Sequence, residues 1–131
     1  MATWLTGALA FCGGECAAAD AGAAAVFLPK VESPAQLLAA ERRLEGFRTR
    51  IIAMLESPAA ILAAPEIARA GKLLAGLAFG SEDYCSQLGI ASSSAALDWP
   101  AQMLAVAARA PAKPAPAVPC ARWPRSAPRR S

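Results

Sequence analysis

The 131-residue sequence contains no histidine, and aromatic residues make up only 6% of it. Histidine is the commonest general base at neutral pH and the commonest metal ligand in proteins. Its absence excludes Ser-His-Asp and Cys-His catalysis, as well as zinc sites of the HExxH type. Because no other catalytic set is recognisable, the sequence predicts no catalytic residue, no cofactor and no enzyme activity.

The four cysteines do not form a metal-binding pattern. Cys12 and Cys16 are separated by three residues, whereas Cys85 and Cys120 are isolated from each other. A structural zinc site would need a second close pair. The sequence therefore predicts no metal site.

The sequence also lacks a hydrophobic run long enough to cross a membrane. The apolar segment 2–14 is shorter than the about 20 residues that a membrane-spanning helix needs. No lysine or arginine precedes this segment, as one would in a secretory signal. We therefore expect a cytoplasmic protein without a membrane span.

Alanine dominates what is present, with 35 of the 131 residues. Alanine favours helices but adds little apolar area to a core, and the larger apolar residues concentrate between Leu37 and Val106. The expected organisation is a poorly ordered Ala/Gly-rich leader (1–30), a helical domain (31–110) and a disordered, basic, proline-rich tail (111–131).

The net charge of +3 is unevenly distributed along the chain. Residues 1–106 hold seven basic and ten acidic side chains, whereas residues 107–131 hold six basic side chains and no acidic one. A basic arm on an acidic body is suited to an anionic partner such as nucleic acid. A solvated tail that aids solubility is the simpler interpretation.

Helical periodicity predicts an all-α fold, a small bundle of roughly three to five short helices. Ser33 and Pro34 have the residue types of a helix start. The apolar residues that follow recur at spacings of three and four, at Leu37, Ala40, Leu44, Phe47, Ile51 and Met54. The predicted helices cover about 33–56, 58–63, 65–79, 82–88 and 98–109.

One nine-residue segment occurs twice. Residues 32–40 and 56–64 match at seven of nine positions, and both begin with Glu-Ser-Pro. The two copies indicate either a duplicated helical hairpin or a coincidence in an alanine-rich sequence, because a solenoid needs at least three copies.

The leading functional hypothesis is a non-enzymatic interaction module. The apolar residues of the first predicted helix have heptad spacing, and a core this small would gain stability from a partner. We expect a protein partner or a homodimer. The candidate interface residues are Leu37, Leu44, Phe47, Ile51 and Met54.

The alternative hypothesis is a small DNA-binding, regulatory or phage-type protein with a degenerate helix-turn-helix over residues 81–99. Gly89 would form the turn, and the basic tail would contact phosphates. The candidate nucleic-acid contacts are Ser92, Ser93, Ser94, Arg122, Arg125, Arg129 and Arg130.

The proposed second helix of this motif carries none of the Arg, Lys, Asn or Gln side chains that read base edges. Glu82 and Asp83 would repel phosphate. An ordinary helix end at Gly89 is therefore the simpler interpretation.

Overall fold

The structure, a computed structural model, describes residues 15–111 and 118–122 of the chain. The elements within these residues are, in chain order, α1 (Glu15–Asp20), β1 (Ala25–Leu28), α2 (Pro34–Arg43), β2 (Arg50–Leu55), α3 (Pro58–Leu62), α4 (Ala64–Ala70), β3 (Leu74–Phe79), α5 (Ser81–Leu88), α6 (Ser94–Arg109) and β4 (Val118–Arg122).

The four strands form one parallel sheet in the order β1-β2-β3-β4. Each strand lies beside the next one in sequence, and every connection contains at least one helix. Sequential parallel strands joined through helices are the repeating arrangement of the eight-stranded (β/α) barrel. The described sheet has half the strands of such a barrel.

Strand β2 shows which residues lie on each of the two faces of the sheet. Its residues alternate between half-buried and buried positions along the strand. Ile51, Ala53 and Leu55 have no exposed surface and belong to the hydrophobic core. Ile52 and Met54 point to the opposite face and are only half-buried. Alternation of this kind is the period-two pattern of a strand.

Serine residues define the starts of three helices. The hydroxyl oxygens of Ser33, Ser57 and Ser93 each accept a hydrogen bond from the backbone N–H three residues later. Pro34 and Pro58 occupy the first helical position, where the missing N–H costs nothing. Both Ser-Pro starts lie where the sequence predicted them.

The core lies between the helices and one face of the sheet. Helix α6 contributes Leu104, which has no exposed surface, and it contacts β3, β4 and α4. The large aliphatic side chains of the core that are fully buried are Val26, Val31, Leu37, Leu44, Ile51, Leu55, Ile61, Ile67 and Leu104.

The prediction of an all-α bundle is wrong. The predicted helix over 33–56 ends at Arg43, and Gly46 then takes a φ of 92°, a left-handed backbone conformation. The chain resumes as strand β2, in which Ile51 and Met54 lie on opposite faces. Their spacing continued the helical pattern only by coincidence, because a short apolar segment fits either period.

The predicted helix over 65–79 is also wrong in its second half. Helix α4 ends at Ala70, and Leu74–Phe79 form strand β3, in which five of the six positions are buried. A buried parallel strand reads as a continuous apolar run and is easily mistaken for a helix. The segments predicted at 58–63 and 82–88 coincide with α3 and α5, and the one at 98–109 begins earlier, at Ser94.

The expected disordered ends are corrected where the structure describes them. Residues 15–30, assigned to the leader, contain α1 and strand β1, and residues 118–122, assigned to the tail, form strand β4. Residues 1–14, 112–117 and 123–131 of these two segments lie outside the described residues. Within the described part of the chain, none of the helices has the length and apolarity that a membrane span requires.

Two matched substitutions test the position of the core. Leu104→Ala empties a fully buried site and should lower the free energy of unfolding by about 2–5 kcal/mol. Leu62→Ala removes the same atoms from a side chain that is 69% exposed, and should cost less than about 0.5 kcal/mol. Urea unfolding at one fixed protein concentration measures both, and equal losses would contradict this packing.

Candidate functional site at the carboxyl edge of the sheet

A cavity of about 80 Å³ lies beyond the carboxyl ends of the strands. Its walls come from the segments that follow three successive strands: Lys30 and Glu32 after β1, Glu56 and Ser57 after β2, and Asp83 and Gln87 in α5 after β3. Binding sites of parallel α/β proteins form at this edge, because the loops after neighbouring strands converge there.

Two backbone hydrogen bonds extend the sheet beyond the strand ends. The N–H of Val31 donates to the Met54 carbonyl at 3.1 Å, and the N–H of Gly80 donates to the Leu55 carbonyl at 2.9 Å. These bonds hold the segments after β1 and β3 against the end of β2. Glu56, the first residue after β2, therefore lies between two fixed neighbours.

The carboxylate of Glu56 lies between two backbone segments. Its Oε2 atom accepts a hydrogen bond of 2.8 Å from the backbone N–H of Lys30. Lys30 has a φ of 53°, a left-handed conformation that is uncommon outside glycine. The turn after β1 therefore contains a left-handed residue, Lys30, and the backbone N–H of this residue donates to Glu56.

On its other side, the Glu56 side chain lies against the backbone of Gly80. A Cβ atom at position 80 would be 2.6 Å from Oε1 and 2.9 Å from Cδ of Glu56. Both separations are shorter than non-bonded atoms tolerate. Glycine at this position therefore gives the carboxylate the space that it occupies.

The side chains at the cavity suit a hard cation. Three carboxylates (Glu32, Glu56 and Asp83) and one ammonium group (Lys30) line it. Among the described residues, no group of three or more Asp, Glu, Cys or His side chains is arranged to enclose a metal. Mg²⁺ commonly binds one or two carboxylates and keeps several waters. Glu56 and Asp83 line the same cavity and are residues of the type that this mode of binding uses.

The chain matches the model of the HpcH/HpaI aldolase/citrate lyase family over residues 11–115. This match covers most of the sequence and includes every residue of the cavity. The chain belongs to this family. The expectation of a non-enzymatic interaction module is therefore wrong, because aldolases and citrate lyases are enzymes. No curated protein matches the chain significantly.

Solved structures show the same fold. RipC from Yersinia pestis is 35% identical, with a TM-score of 0.63 over 66% of this chain and 40% of its own. The citrate lyase beta subunit of M. tuberculosis, complexed with oxaloacetate and magnesium, is 27% identical, with a TM-score of 0.61 over 78% and 49%. The citrate synthase SbnG, at 19% identity, shows the fold alone, with a TM-score of 0.62 over 78% and 52%. This chain thus spans about half the length of these solved structures.

The hypothesis of a DNA-binding helix-turn-helix is also wrong. Residues 81–99 do form a helix, a turn at Gly89 and the start of a second helix, but these helices are the connection from β3 to β4. Leu97 and Leu104 bury one side of α6 in the core. The helix, the turn at Gly89 and the second helix were predicted. However, a helix-turn-helix and the helical connection of a βαβ unit have the same sequence pattern over so few residues.

The structure distributes the predicted contact residues over different elements. Of the predicted nucleic-acid contacts, Ser93 caps α6, Ser92 is half-buried before it, and Ser94 is its first residue. Arg122 ends β4, and Arg125, Arg129 and Arg130 lie outside the described residues. Any contact of the tail with nucleic acid stays a prediction.

The five predicted interface residues do not share one helix face. Leu37 and Leu44 are buried at α2, Ile51 is buried in β2, and Phe47 is half-buried in the loop between them. Met54 lies on the other face of β2, where it is half-buried. Their role in partner contacts stays a prediction.

Glu56 and Asp83 were not among the predicted site residues, although a repeated sequence segment marks the position of Glu56. The repeated Glu-Ser-Pro segments mark the same junction in two successive units, where a strand ends, a carboxylate follows and a serine caps the next helix. Both glutamates of the repeat, Glu32 and Glu56, line the cavity. The duplication therefore reflects a repeated strand-to-helix junction.

A double-mutant cycle tests the contact between Glu56 and Gly80. Gly80→Ala should lower the free energy of unfolding by about 1–3 kcal/mol, because the new methyl group collides with the carboxylate. In a Glu56→Ala background the same change should cost less than about 0.5 kcal/mol. An equal cost of Gly80→Ala in both backgrounds would refute the contact.

Proposed function

We propose that this chain carries the cation-binding part of the active site of an enzyme that makes or breaks a carbon–carbon bond in a carboxylic acid substrate. The observation that carries the proposal is the convergence of Glu56 and Asp83, from the ends of successive strands, on one cavity. The family name, aldolase/citrate lyase, supports the reaction class. The oxaloacetate and magnesium of the M. tuberculosis relative support a 2-oxo acid substrate and Mg²⁺.

In this proposal the residues of the chain have separate tasks. Glu56 and Asp83 hold the divalent cation. The cation, when bound, supplies a positive charge that stabilises negative charge developing on a substrate oxygen. The backbone bond from Lys30 and the close approach of Gly80 fix the Glu56 carboxylate before any ligand arrives. Such preorganisation removes the cost of orienting the group during the reaction.

Lys30 places a positive side chain on the rim of the same cavity. We propose that its ammonium group binds a carboxylate of the substrate, because opposite charges attract. Glu32, on the same rim, completes the acidic wall. We propose a cytoplasmic location for the enzyme.

Cation binding by the full chain is the direct test. Mg²⁺ or Mn²⁺ titration followed by calorimetry should show binding, and Glu56→Gln and Asp83→Asn should each weaken it by about tenfold or more, because each removes a charged ligand. Glu45→Gln serves as the control, since it removes the same charge from an exposed turn before β2. Turnover of 2-oxo acids, followed by NMR, is the second readout.

The same titration also gives the result that would contradict the proposal. If the full chain binds neither cation, or if Glu45→Gln weakens binding as much as Glu56→Gln does, the cavity is not the cation site.

A further inference from the structure

A larger cavity, of about 330 Å³, lies beside the turn that follows β1. We call it the second cavity, and the one that Glu56 and Asp83 line the first cavity. Clefts that bind small molecules measure roughly 300–1,000 Å³, so the second cavity is large enough for a small ligand. The residues that line it, from the end of β1, the turn and α2, are Leu28, Pro29, Lys30, Val31, Gln36, Ala39 and Arg43.

The charged side chains of the second cavity are all positive. Lys30 contributes an ammonium group, and Arg43, the last residue of α2, contributes a guanidinium group. No Asp or Glu is among the described residues that line it. The first cavity has the opposite composition, with three carboxylates and one ammonium group. The two cavities therefore favour ligands of opposite charge.

Gln36 brings further hydrogen-bond donors to the second cavity, because its amide oxygen is already engaged. The Oε1 atom accepts a hydrogen bond of 2.6 Å from the backbone N–H of Glu32. This bond fixes the orientation of the amide. Its Nε2 protons have no acceptor within the described part of the chain, so they are available to a ligand.

The other side chains of the second cavity are apolar. Leu28 and Val31 are buried, Pro29 is half-buried in the turn, and Ala39 is exposed on α2. A bare inorganic ion would leave this apolar surface in contact with water. A ligand that joins an anionic group to a short apolar part matches both kinds of surface.

We propose that the second cavity binds a small organic anion. Its phosphate or carboxylate group accepts hydrogen bonds from the Lys30 ammonium group and the Gln36 amide, and the charge of Arg43 adds to the attraction. The apolar part of the anion packs against the apolar residues of the cavity.

This proposal goes beyond the function proposed above, because neither Glu56 nor Asp83 lines the second cavity. Lys30 lines both cavities. The bound anion therefore lies next to the candidate active site.

Two glutamine side chains report on the two cavities separately, since Gln36 lines the second cavity and Gln87 lines the first. The test is an NMR titration of the full chain, without divalent cations and at constant ionic strength, with phenyl phosphate and separately with benzoate. We expect at least one probe to shift the Gln36 side-chain amide signal until it saturates, with a smaller shift at Gln87. The probe that saturates identifies the anionic group as phosphate or carboxylate.

Substitutions test the donors, with the backbone amide signals of α2 as the readout. Gln36→Glu keeps an acceptor for the Glu32 N–H but replaces the amide donors by a negative charge, so it should weaken binding by about tenfold or more. Lys30→Asn removes the ammonium group, keeps a residue type that tolerates the left-handed backbone, and should also weaken binding. The matched controls Gln102→Glu and Arg42→Gln change exposed residues outside the cavity and should leave the affinity within about twofold.

The absence of a saturable shift with either probe would overturn the proposal. So would a larger shift at Gln87 than at Gln36, because the anion would then occupy the first cavity. Equal weakening by Arg42→Gln and Lys30→Asn would also contradict it, since binding would then depend only on net charge. The titration of the unsubstituted chain decides the matter even if a variant fails to fold. Cation binding is measured in a separate titration, so failure of the anion site and failure of the proposed function are distinguishable.

Discussion

The hydrogen bond from the Gly80 N–H to the Leu55 carbonyl, 2.9 Å long, continues the pairing of β2 and β3 one step past the strands. It places the backbone of Gly80 beside the first residue after β2, which is Glu56. The carboxylate position, the requirement for glycine and the approach of α5 with Asp83 all depend on this alignment. A shift of one residue between the two strands would turn Glu56 to the other face of the sheet.

The helix starts at Ser33 and Ser57 were predictable, because a serine cap followed by proline acts through its own neighbours and needs no tertiary information. The strands were not. Ile51 and Met54 continued the spacing of the preceding helix, and the apolar run of β3 has no period at all. Strand identity there is decided by burial between neighbouring strands and helices, which is a property of the folded chain.

The residues of the candidate site were only partly predictable from the sequence, for a similar reason. Glu56 stands in a repeated segment and could have been singled out once the repeat was interpreted as a strand-to-helix junction. No repeat or motif in the sequence singles out Asp83, because its position beside the cavity follows from the pairing of β3 with β2. The absence of histidine did not exclude an enzyme, because carboxylates can take part in catalysis without an imidazole.

The Glu-Ser-Pro junction after β2 has a consequence for how this protein changes in evolution. Three adjacent codons specify the carboxylate at the cavity, the hydroxyl that caps α3 and the proline that opens the helix. Residues that shape the cavity and residues that start the helix are therefore encoded in the same short stretch of gene. An insertion just before this stretch would displace the carboxylate and the helix start together, whereas a substitution of Glu56 alone would leave the cap and the proline in place.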